Sequence, residues 1–394
     1  GTGGRELEGP AVLLPDVANR AAFEQWLPQV RGRWVLVSFP EPTCRPNEVW
    51  QQFAQPVTFE RMQQARQAAQ QAWTARVGRI GLQQGDLHRA LENAGALGIV
   101  TSSWTGGYGG RRIFNARTER VPTFDLSCED YGLVARLAER GQGPVLRAFA
   151  DAEFTGEVPT FNTIARIPGR ELPDEYVVLS AHFDSWDGAS GATDNATGTV
   201  VMMEAMRILR ATYPNPRRTI LVGHWSGEEQ GLNGSRAFAF DNPRVVQGLQ
   251  TLLNQDNGTG RISVISMMGF TEAGAHFARW LSGIPVELTG HVNLELPGVP
   301  AAGGSDHAAF LCHGAPAFRL GSLEWDYRNY TWHTNLDTYD KIVFDEVRNN
   351  ALLTAMLAYQ AAADPTRVSR ERRTGNWPPC PQPARSWAES ARVR

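Results

Sequence analysis

The chain has 394 residues, 42% of them apolar, and a formal net charge of −3 at pH 7. Its length predicts two domains, and its apolar content excludes general disorder. The small negative charge argues against nucleic acid or an anionic membrane surface as a partner. No uninterrupted apolar run approaches the roughly 18 residues of a membrane span, so no span is predicted.

The first 153 residues are predicted to hold an extended segment and a small domain. Residues 1–20 are rich in Gly and Pro and have little periodicity, whereas residues 21–153 form a small α+β domain. A glycine-rich stretch at 105–112 lacks the GxxxxGKS/T pattern of phosphate-binding loops, so it is predicted to be a plain loop. The predicted elements in chain order are a strand at 33–40, helices at 59–76 and 86–96, strands at 98–101 and 121–124, and a helix at 131–140.

Strands and helices alternate through residues 154–365, which predicts a three-layer α/β domain with helices on both faces of a central sheet. Residues 366–394 contain few apolar positions and are predicted to be a C-terminal arm on the surface. The predicted strands lie at 160–167, 176–182, 218–226, 248–255, 261–267 and 317–320, and the helices lie at 198–212, 231–240, 272–281 and 344–363.

Side chains that suit a metal ion occur where several of these strands end. In an open α/β sheet, ligands gather beyond the carboxyl ends of the strands. Imidazoles and carboxylates bind Zn²⁺, and a carboxylate that bridges allows two cations to sit about 3.5–4 Å apart. The candidate residues are His182, Asp184, Asp194, Glu228, Glu229, Asp256 and His333.

Each candidate also has a purely structural interpretation. Asp194 precedes a helix and is placed to cap it, Asp256 lies in a turn-like sequence, and His333 is compatible with a surface histidine. Glu228 and Glu229 are harder to explain in this way, because adjacent carboxylates at a buried strand end repel each other unless a cation or a shared proton intervenes. Each signal is weak alone, but their order at the strand ends of one domain predicts a site.

The segment from Tyr176 to Asp187, together with these residues, resembles the M28 family of di-zinc metallopeptidases. Within that family it is most similar to the branch that contains carboxypeptidase Q. The similarity covers residues of roughly 155–365 and implies a three-layer αβα zinc-exopeptidase fold with a mixed central sheet. The preceding region, at 35–37, 90–96 and 121–123, is similar to a protease-associated domain.

The resemblance implies two Zn²⁺ ions per chain. One zinc would bind His182, Asp194 and Asp256, and the other would bind Glu229, His333 and the same bridging Asp194. It also implies that the peptide bond after Asp194 is cis.

The resemblance implies roles for two further residues. Glu228 would be the general base that takes a proton from zinc-bound water, and Asp184 would orient the His182 imidazole. Some relatives have a tyrosine directly before the last histidine ligand, where its hydroxyl helps to bind the oxyanion. This chain has Trp332 there, which puts that assistance in doubt. Related enzymes also carry a helical segment ahead of the associated domain, and this chain, which opens on Gly1 without Met, is expected to be a processed or trimmed form.

The substrate side is less specific. A glycine-rich turn before residue 307 has the backbone N–H groups to bind an anion, and arginines near His333 suit a substrate carboxylate. The alternatives are helix caps, solvated arginines and aromatic residues of an ordinary core. The candidate substrate-binding residues are Ser305, Asp306, Arg319, Arg328, Tyr330 and Trp332.

The resemblance favours a zinc-dependent exopeptidase of carboxypeptidase or dipeptidase type that hydrolyses dipeptides or short peptides. An aminopeptidase of the same family is the nearest alternative, because the pocket decides between them. A single-zinc glutaminyl cyclase is more distant, since ligands for two zincs are present. A non-catalytic binding protein on the same fold is the alternative from another class, and the complete set of ligands and base argues against it.

The cysteines do not indicate a compartment by themselves. Their even number permits disulfides, but no CxxC spacing suggests a pairing. A secreted or periplasmic location and a homodimer are expectations carried by the resemblance. The four cysteines are Cys44, Cys128, Cys312 and Cys380.

Overall fold

The computed structural model describes residues 1–382 apart from 154, 157 and 302. Contacts between residues divide the chain into two units. Over the described residues, the first unit consists of residues 1–156 with the short segment 333–335, and the second consists of residues 158–332 with 336–382.

The first unit contains five strands and five helices among its described residues. A 3₁₀ turn, Leu27–Val30, follows the first helix. The elements in chain order are β1 Leu7–Leu13, α1 Arg20–Trp26, β2 Trp34–Leu36, α2 Asn47–Phe53, α3 Pro56–Ile80, α4 Gln84–Asn93, β3 Gly98–Thr101, β4 Thr123–Asp125, α5 Cys128–Glu139 and β5 Val145–Ala148.

The five strands form one sheet in the order β4-β3-β2-β1-β5. Neighbours from β1 to β4 are parallel, and β5 is antiparallel to β1. Side chains alternate between two apolar clusters, with Val35 packing on one face of the sheet and Trp34 and Leu36 on the other. The sequence predicts a small α+β domain in this region, and the observed sheet is mixed, with β5 as its antiparallel edge strand.

Strand β1 differs from the sequence analysis, which treats residues 1–20 as a separate extended segment. Gly9 and Pro10 resemble turn signals, yet both lie within the strand and pair with β5. Gly9 is needed for close packing rather than for a turn, because a Cβ there would lie 2.7 Å from the carbonyl oxygen of Gly32. The glycine and proline content of this segment therefore predicts a turn, whereas pairing with β2 and β5 makes it a strand.

The second unit contains seven strands and seven helices among its described residues. Its elements in chain order are β6 Thr163–Ile167, β7 Leu172–His182, α6 Thr197–Thr212, β8 Arg218–Trp225, α7 Asn233–Asp241, α8 Pro243–Gly248, β9 Leu249–Asn254, β10 Ile262–Ser266, α9 Ala273–Ser282, α10 Val286–Thr289, β11 Asn293–Glu295, α11 His307–Leu311, β12 Ala317–Ser322 and α12 Phe344–Ala363. Three shorter turns are π-helical at Ala192–Ala196 and Tyr327–Thr331 and 3₁₀ at Tyr339–Lys341.

The seven strands form a sheet in the order β11-β10-β12-β9-β7-β8-β6. Its centre is parallel, with β7 between β8 and β9 and with β12 beside β9. Strand β6 is antiparallel to β8, and β12 is antiparallel to β10, so the sheet is mixed as predicted. The carboxyl ends of β7, β8 and β9 meet at one edge.

Both faces of this sheet are buried. Along β7, Val177 and Leu179 pack into one apolar cluster with α6, α9 and α12, whereas Val178 packs into a second cluster with α7, α8 and α11. Successive side chains of a strand point to opposite faces, so an unbroken apolar run indicates cover on both sides. The structure thus confirms the predicted three-layer α/β fold.

The four cysteines form two disulfides, a pairing that the sequence left open. Cys44 pairs with Cys128 in the first unit, and Cys312 pairs with Cys380 in the second. The described part of the C-terminal arm, residues 366–382, is therefore bonded covalently to the chain segment after α11. No helix within the described ranges combines the length and the apolar content needed to cross a membrane.

Candidate metal centre

His182 is the last residue of β7, and only 1% of its surface is exposed. Its Nδ1–H donates to the carbonyl oxygen of Asp184 at 2.8 Å. Because a carbonyl can only accept, this bond puts a proton on Nδ1 and directs Nε2 elsewhere. Nε2 lies 3.0 Å from Oδ1 of Asp256 and 3.3 Å from Oδ1 of Asp194. The imidazole thus presents to two carboxylates the nitrogen that would bind a metal.

Asp184 orients His182 through its backbone rather than through its carboxylate. The nearest carboxylate oxygen lies 3.8 Å from Nδ1, and the carboxylate accepts the N–H groups of Glu228 at 3.1 Å and Glu229 at 3.3 Å. Strand β7 ends at His182, so the strand geometry that aligns residues two apart does not extend to Asp184. Asp184 therefore connects the candidate ligand His182 to the adjacent carboxylates Glu228 and Glu229.

Asp194 lies in the π-helical turn Ala192–Ala196, directly before α6. Its peptide bond to Asn195 is cis, as the resemblance implied. The carboxylate of Asp337 accepts the N–H of Thr193 at 2.8 Å and the N–H of Asp194 at 2.9 Å. Two hydrogen bonds donated to the two oxygens of one carboxylate fix the turn that carries Asp194.

Asp256 follows β9 by two residues, and buried hydrogen bonds connect this strand to its neighbour β7. The indole N–H of Trp225 donates to Oγ of Ser180 at 2.8 Å, and Ser180 donates to Oδ1 of Asn254 at 2.6 Å. Asn254 in turn donates to Oγ of Ser305 at 2.8 Å. A network whose members all have partners restrains the strand ends on which His182 and Asp256 lie.

Five of the seven candidate polar residues converge on one another. Oxygen and nitrogen atoms of His182, Asp194 and Glu229 lie within 4.8 Å of one another, and so do those of His182, Glu228 and Asp256. The two groups share His182, so they form one cluster at the carboxyl ends of β7, β8 and β9. Four carboxylates and one imidazole thus occupy a small, mostly buried volume.

The burial and the crowding of charge shift the pKa values of the cluster. Burial raises the pKa of Asp194 to about 6, and burial followed by the charge of Asp256 raises the pKa of Glu228 well above its usual range. Burial opposes the charged form of His182, but the charge of Asp256 and hydrogen bonds with Asp194 and Asp256 hold its pKa well above the usual value. For Asp256, burial is outweighed by the charge and hydrogen bond of His182, so its pKa is lowered.

The cluster fits divalent cations better than it fits an isolated hydrogen-bond network. The imidazole supplies one positive charge at most against four carboxylates, and like charges at this spacing repel unless cations or protons offset them. Neutral imidazole and carboxylate oxygen are ligands that Zn²⁺ accepts. The carbonyl of Asp184 also gives His182 the hydrogen-bonded support that histidine ligands usually have.

His333 is placed differently from the other candidates. It groups with the first unit, where its carbonyl accepts the N–H of Ile113 at 2.6 Å and its ring lies 5.0 Å from the ring of Phe114. The sequence predicts this residue within the domain at 154–365. These two contacts are with a loop far away in the sequence, which no local pattern reveals. Its role as a ligand of the second metal stays a prediction.

The candidate substrate residues are in varied surroundings. Ser305 and Asp306 are almost fully buried, and burial raises the pKa of Asp306 to about 7. This burial argues against Asp306 as a surface cap residue. Arg319 is exposed on β12, and Arg328 is exposed and pairs with Glu324 at 3.8 Å.

Tyr330 and Trp332 are partly buried, in and after the second π-helical turn. The substrate-binding roles of all six residues stay predictions.

Two further residues near the cluster, Asp337 and Tyr327, were not among the predicted metal ligands, catalytic residues or substrate-binding residues. Asp337 holds the Asp194 turn, and nothing in the local sequence distinguishes it from a surface aspartate. Burial raises the pKa of Tyr327 well above its usual value, and the charges of Asp194 and Asp256 add to this effect. Its ring packs on Gly258, where an added Cβ would lie 3.1 Å from it. Gly258 lies two residues after the candidate ligand Asp256, so this contact places Tyr327 near the candidate metal centre.

Comparisons with known proteins identify related chains. Carboxypeptidase Q of Xenopus laevis is 28% identical over 222 residues, which cover 56% of this chain and 45% of that protein. The chain thus spans about half the length of the curated relative that it matches. A solved structure of a peptidase M28 precursor from Shewanella amazonensis SB2B aligns over 95% of this chain and 76% of its own, with a TM-score of 0.60 at 22% identity.

A second solved structure, a zinc aminopeptidase from Bacillus subtilis, aligns over 94% of this chain and 78% of its own, with a TM-score of 0.53 at 17% identity. These two structures support the fold. The family model described as "Peptidase family M28" matches residues 162–358, which are half of the chain. That span holds the seven-stranded sheet, every residue of the converging cluster and His333, and so the chain belongs to peptidase family M28.

Proposed function

We propose that this chain is a zinc-dependent exopeptidase of carboxypeptidase or dipeptidase type that hydrolyses dipeptides or short peptides. The observation that carries the proposal is the convergence of His182 with four carboxylates at the ends of three adjacent strands. The membership in peptidase family M28 and the similarity to carboxypeptidase Q support the same reaction class.

The proposed centre binds two zinc ions. His182, Asp194 and Asp256 would hold one, and Glu229, His333 and the bridging Asp194 would hold the other. Bound zinc would polarise the scissile carbonyl and lower the pKa of a coordinated water. The contribution of the chain is to hold its ligands in place, which the carbonyl of Asp184 does for His182 and the carboxylate of Asp337 does for Asp194.

Glu228 is the proposed general base. Its backbone N–H donates to the carboxylate of Asp184 at 3.1 Å, which fixes the backbone of this member of the cluster. Burial first, and the charge of Asp256 second, raise its pKa well above its usual range, which favours a carboxyl group that takes up a proton. In this role it accepts a proton from the attacking water and delivers it to the leaving amine.

The first test is hydrolysis of a panel of free dipeptides after chelation and after re-addition of zinc. We expect cleavage to disappear with chelation, to return with zinc and to fail when the C-terminus of the substrate is amidated. Replacement Glu228→Gln should lower the rate about 10²–10⁴-fold while the zinc content stays at two ions per chain by elemental analysis.

Each other outcome points away from a part of the proposal. Cleavage that fails only when the N-terminus is blocked would identify an aminopeptidase instead. Full activity of the Glu228→Gln variant at normal zinc content would remove Glu228 from the mechanism. A protein that binds no zinc and cleaves no dipeptide would point to a binding role.

The remaining parts of the proposal concern the context of the enzyme. We propose a secreted or periplasmic location, which the two disulfides support because such bonds persist in oxidising compartments. A protease-associated domain at 21–153 followed by a peptidase domain at 154–365, and assembly into a homodimer, are likewise proposed from the resemblance.

A further inference from the structure

The first unit contains a cavity of about 250 Å³ that has no part in the proposed metal centre. It lies beyond the carboxyl ends of β2 and β3, since its walls include Glu41 from the loop after β2 and Ser102, Ser103 and Trp104 directly after β3. The strands β1 to β4 are parallel, and the carboxyl edge of such a sheet is where ligands bind in open α/β folds.

The chemistry of the walls is mixed. Glu41 and Arg112 supply opposite charges, the two serines supply hydroxyl groups, and Trp104 and Phe114 supply aromatic surface. A cavity for a drug-sized ligand usually exceeds about 300 Å³, so this one suits a smaller molecule. A molecule that used every wall would carry a carboxylate, an ammonium group and an apolar side chain.

Four contacts preform one side of the cavity. The Arg66 guanidinium lies 3.1 Å from Oε2 of Glu41 and donates to the carbonyl oxygen of Thr43 at 3.0 Å. The same guanidinium lies over the ring of Trp104, 5.3 Å from its centre. The disulfide between Cys44 and Cys128 ties the loop that carries Glu41 to the start of α5. Contacts outside the cavity thus fix the positions of Glu41 and Trp104, which line it.

Burial disfavours the charged forms of both Glu41 and Arg112. It raises the pKa of Glu41, with the charge of Arg66 opposing this shift, and it lowers the pKa of Arg112. A group that loses hydration on burial gains from a partner of opposite charge in the same cavity. A ligand ammonium group would share Glu41 with Arg66, and a ligand carboxylate would add to the partners that Arg112 already has within the chain.

We propose that this cavity binds a free α-amino acid with an aromatic or large aliphatic side chain. Arg112 binds the carboxylate, Glu41 binds the ammonium group, and Trp104 and Phe114 enclose the side chain. The choice of a free amino acid among small zwitterions rests on the proposed function, because an exopeptidase releases such molecules. The existence of the binding site does not rest on it.

The test is isothermal titration calorimetry of the full chain with L-phenylalanine in the presence of a zinc chelator. The chelator removes any binding at the metal centre from the measurement. We expect saturable binding of phenylalanine, and at least tenfold weaker binding of phenylalaninamide, which lacks the carboxylate, and of N-acetylphenylalanine, which lacks the ammonium group. Absence of saturable binding, or equal binding of the amide, would overturn the proposal.

Substitutions of residues that line the cavity test whether phenylalanine binds there. Arg112→Gln should weaken phenylalanine at least tenfold and leave the weak binding of phenylalaninamide unchanged, whereas Arg89→Gln, at an exposed arginine paired with Asp86, should have no effect. Ser103→Leu keeps both charges and fills the cavity, so it should abolish binding even if Arg112→Gln does not fold. Unchanged binding in a folded Ser103→Leu variant would contradict the assignment.

Failure of this proposal and failure of the proposed function can be told apart. Phenylalanine binding without zinc-restored dipeptide cleavage would keep the cavity and reject the exopeptidase. Zinc-restored cleavage without phenylalanine binding would do the reverse.

Discussion

At the scale of single residues, Asp337 shows how a site depends on a group that touches no predicted metal. Its carboxylate accepts two N–H groups of the turn that carries Asp194, and both oxygens are used. A carboxylate in this position has two acceptors at fixed spacing, whereas an amide has one acceptor and one donor. The donor would face an N–H and repel it.

We therefore expect Asp337→Asn to displace Asp194 and to weaken zinc binding about 10–100-fold, with a matching loss of dipeptide hydrolysis. Zinc affinity measured by competition with a chelator checks the expectation. Asp340→Asn is the control, since Asp340 lies three residues further along, is exposed, and pairs with Lys341. Equal zinc affinity of the two variants would show that the turn needs no support from Asp337.

The candidate metal ligands could be predicted from the sequence, because the ability to bind a metal is a property of the side-chain type. His182, Asp194 and Asp256 meet as expected. The residues that hold these ligands in position could not be predicted in the same way. Asp184 acts through its carbonyl, and any residue has a carbonyl, so no pattern of side chains could have indicated that contact.

At the scale of elements, long periodic segments were predictable and short ones were not. Helix α12 runs over Phe344–Ala363 as predicted, because twenty residues give several turns of repeating apolar positions. Strand β1 was missed because Gly9 and Pro10 interrupt it, and α10 was missed because four residues carry no period. Short elements owe their form to the neighbours on which they pack rather than to their own sequence.

The start of α6 illustrates how tightly two elements meet at the site. Gly198 is the second residue of this helix, and a Cβ there would lie 2.2 Å from Oδ1 of Asn195 and 2.5 Å from the carbonyl oxygen of Gln255. Asn195 and Gln255 directly follow and precede the candidate ligands Asp194 and Asp256. The absent side chain at Gly198 thus lets the two ligand-bearing turns approach each other.

We expect Gly198→Ala to push these turns apart and to lower dipeptide hydrolysis about tenfold or more, because a shift of about 1 Å at a catalytic centre costs up to 10²-fold in rate. Rates at saturating zinc measure the effect. Gly78→Ala is the control, because it lies within α3 with open space around the added Cβ, and it should leave the rate unchanged. Hydrolysis by Gly198→Ala at the rate of the control would show that the contact is not restrictive.

At the scale of the whole molecule, the two units differ in how far the sequence describes them. The second unit carries the family pattern in residues 162–358, and its layers follow from buried strands that alternate with helices. The first unit has shorter strands, and its structure depends on contacts between distant segments, such as the disulfide that joins Cys44 to Cys128 across 84 residues. Long-range constraints of this kind leave little trace in local composition, and they explain why β1 and the position of His333 were not predicted.

Stability against pH is a property of the whole molecule that one buried histidine of the first unit should influence. His88 lies on α4 with 2% of its surface exposed, and neither ring nitrogen has a hydrogen-bond partner among the described residues. Burial first, and the charge of Arg117 second, lower its pKa from 6.5 to about 4. In the unfolded chain the same ring takes up a proton near pH 6.5, so the unfolded state binds more protons between these values.

Stability therefore holds above pH 6.5 and falls as the pH drops toward 4, by about 3 kcal/mol for a shift of this size. His88→Leu, which cannot titrate, should remove this part of the pH dependence and leave the free energy of unfolding at pH 7 equal or higher, since no hydrogen bond is lost. Urea unfolding of both proteins at pH 7, 5.5 and 4 measures the difference, in which the titration of every other group cancels. Parallel pH profiles would mean that His88 becomes protonated in the folded state at its ordinary pKa, and that the α4 core opens to admit the charge.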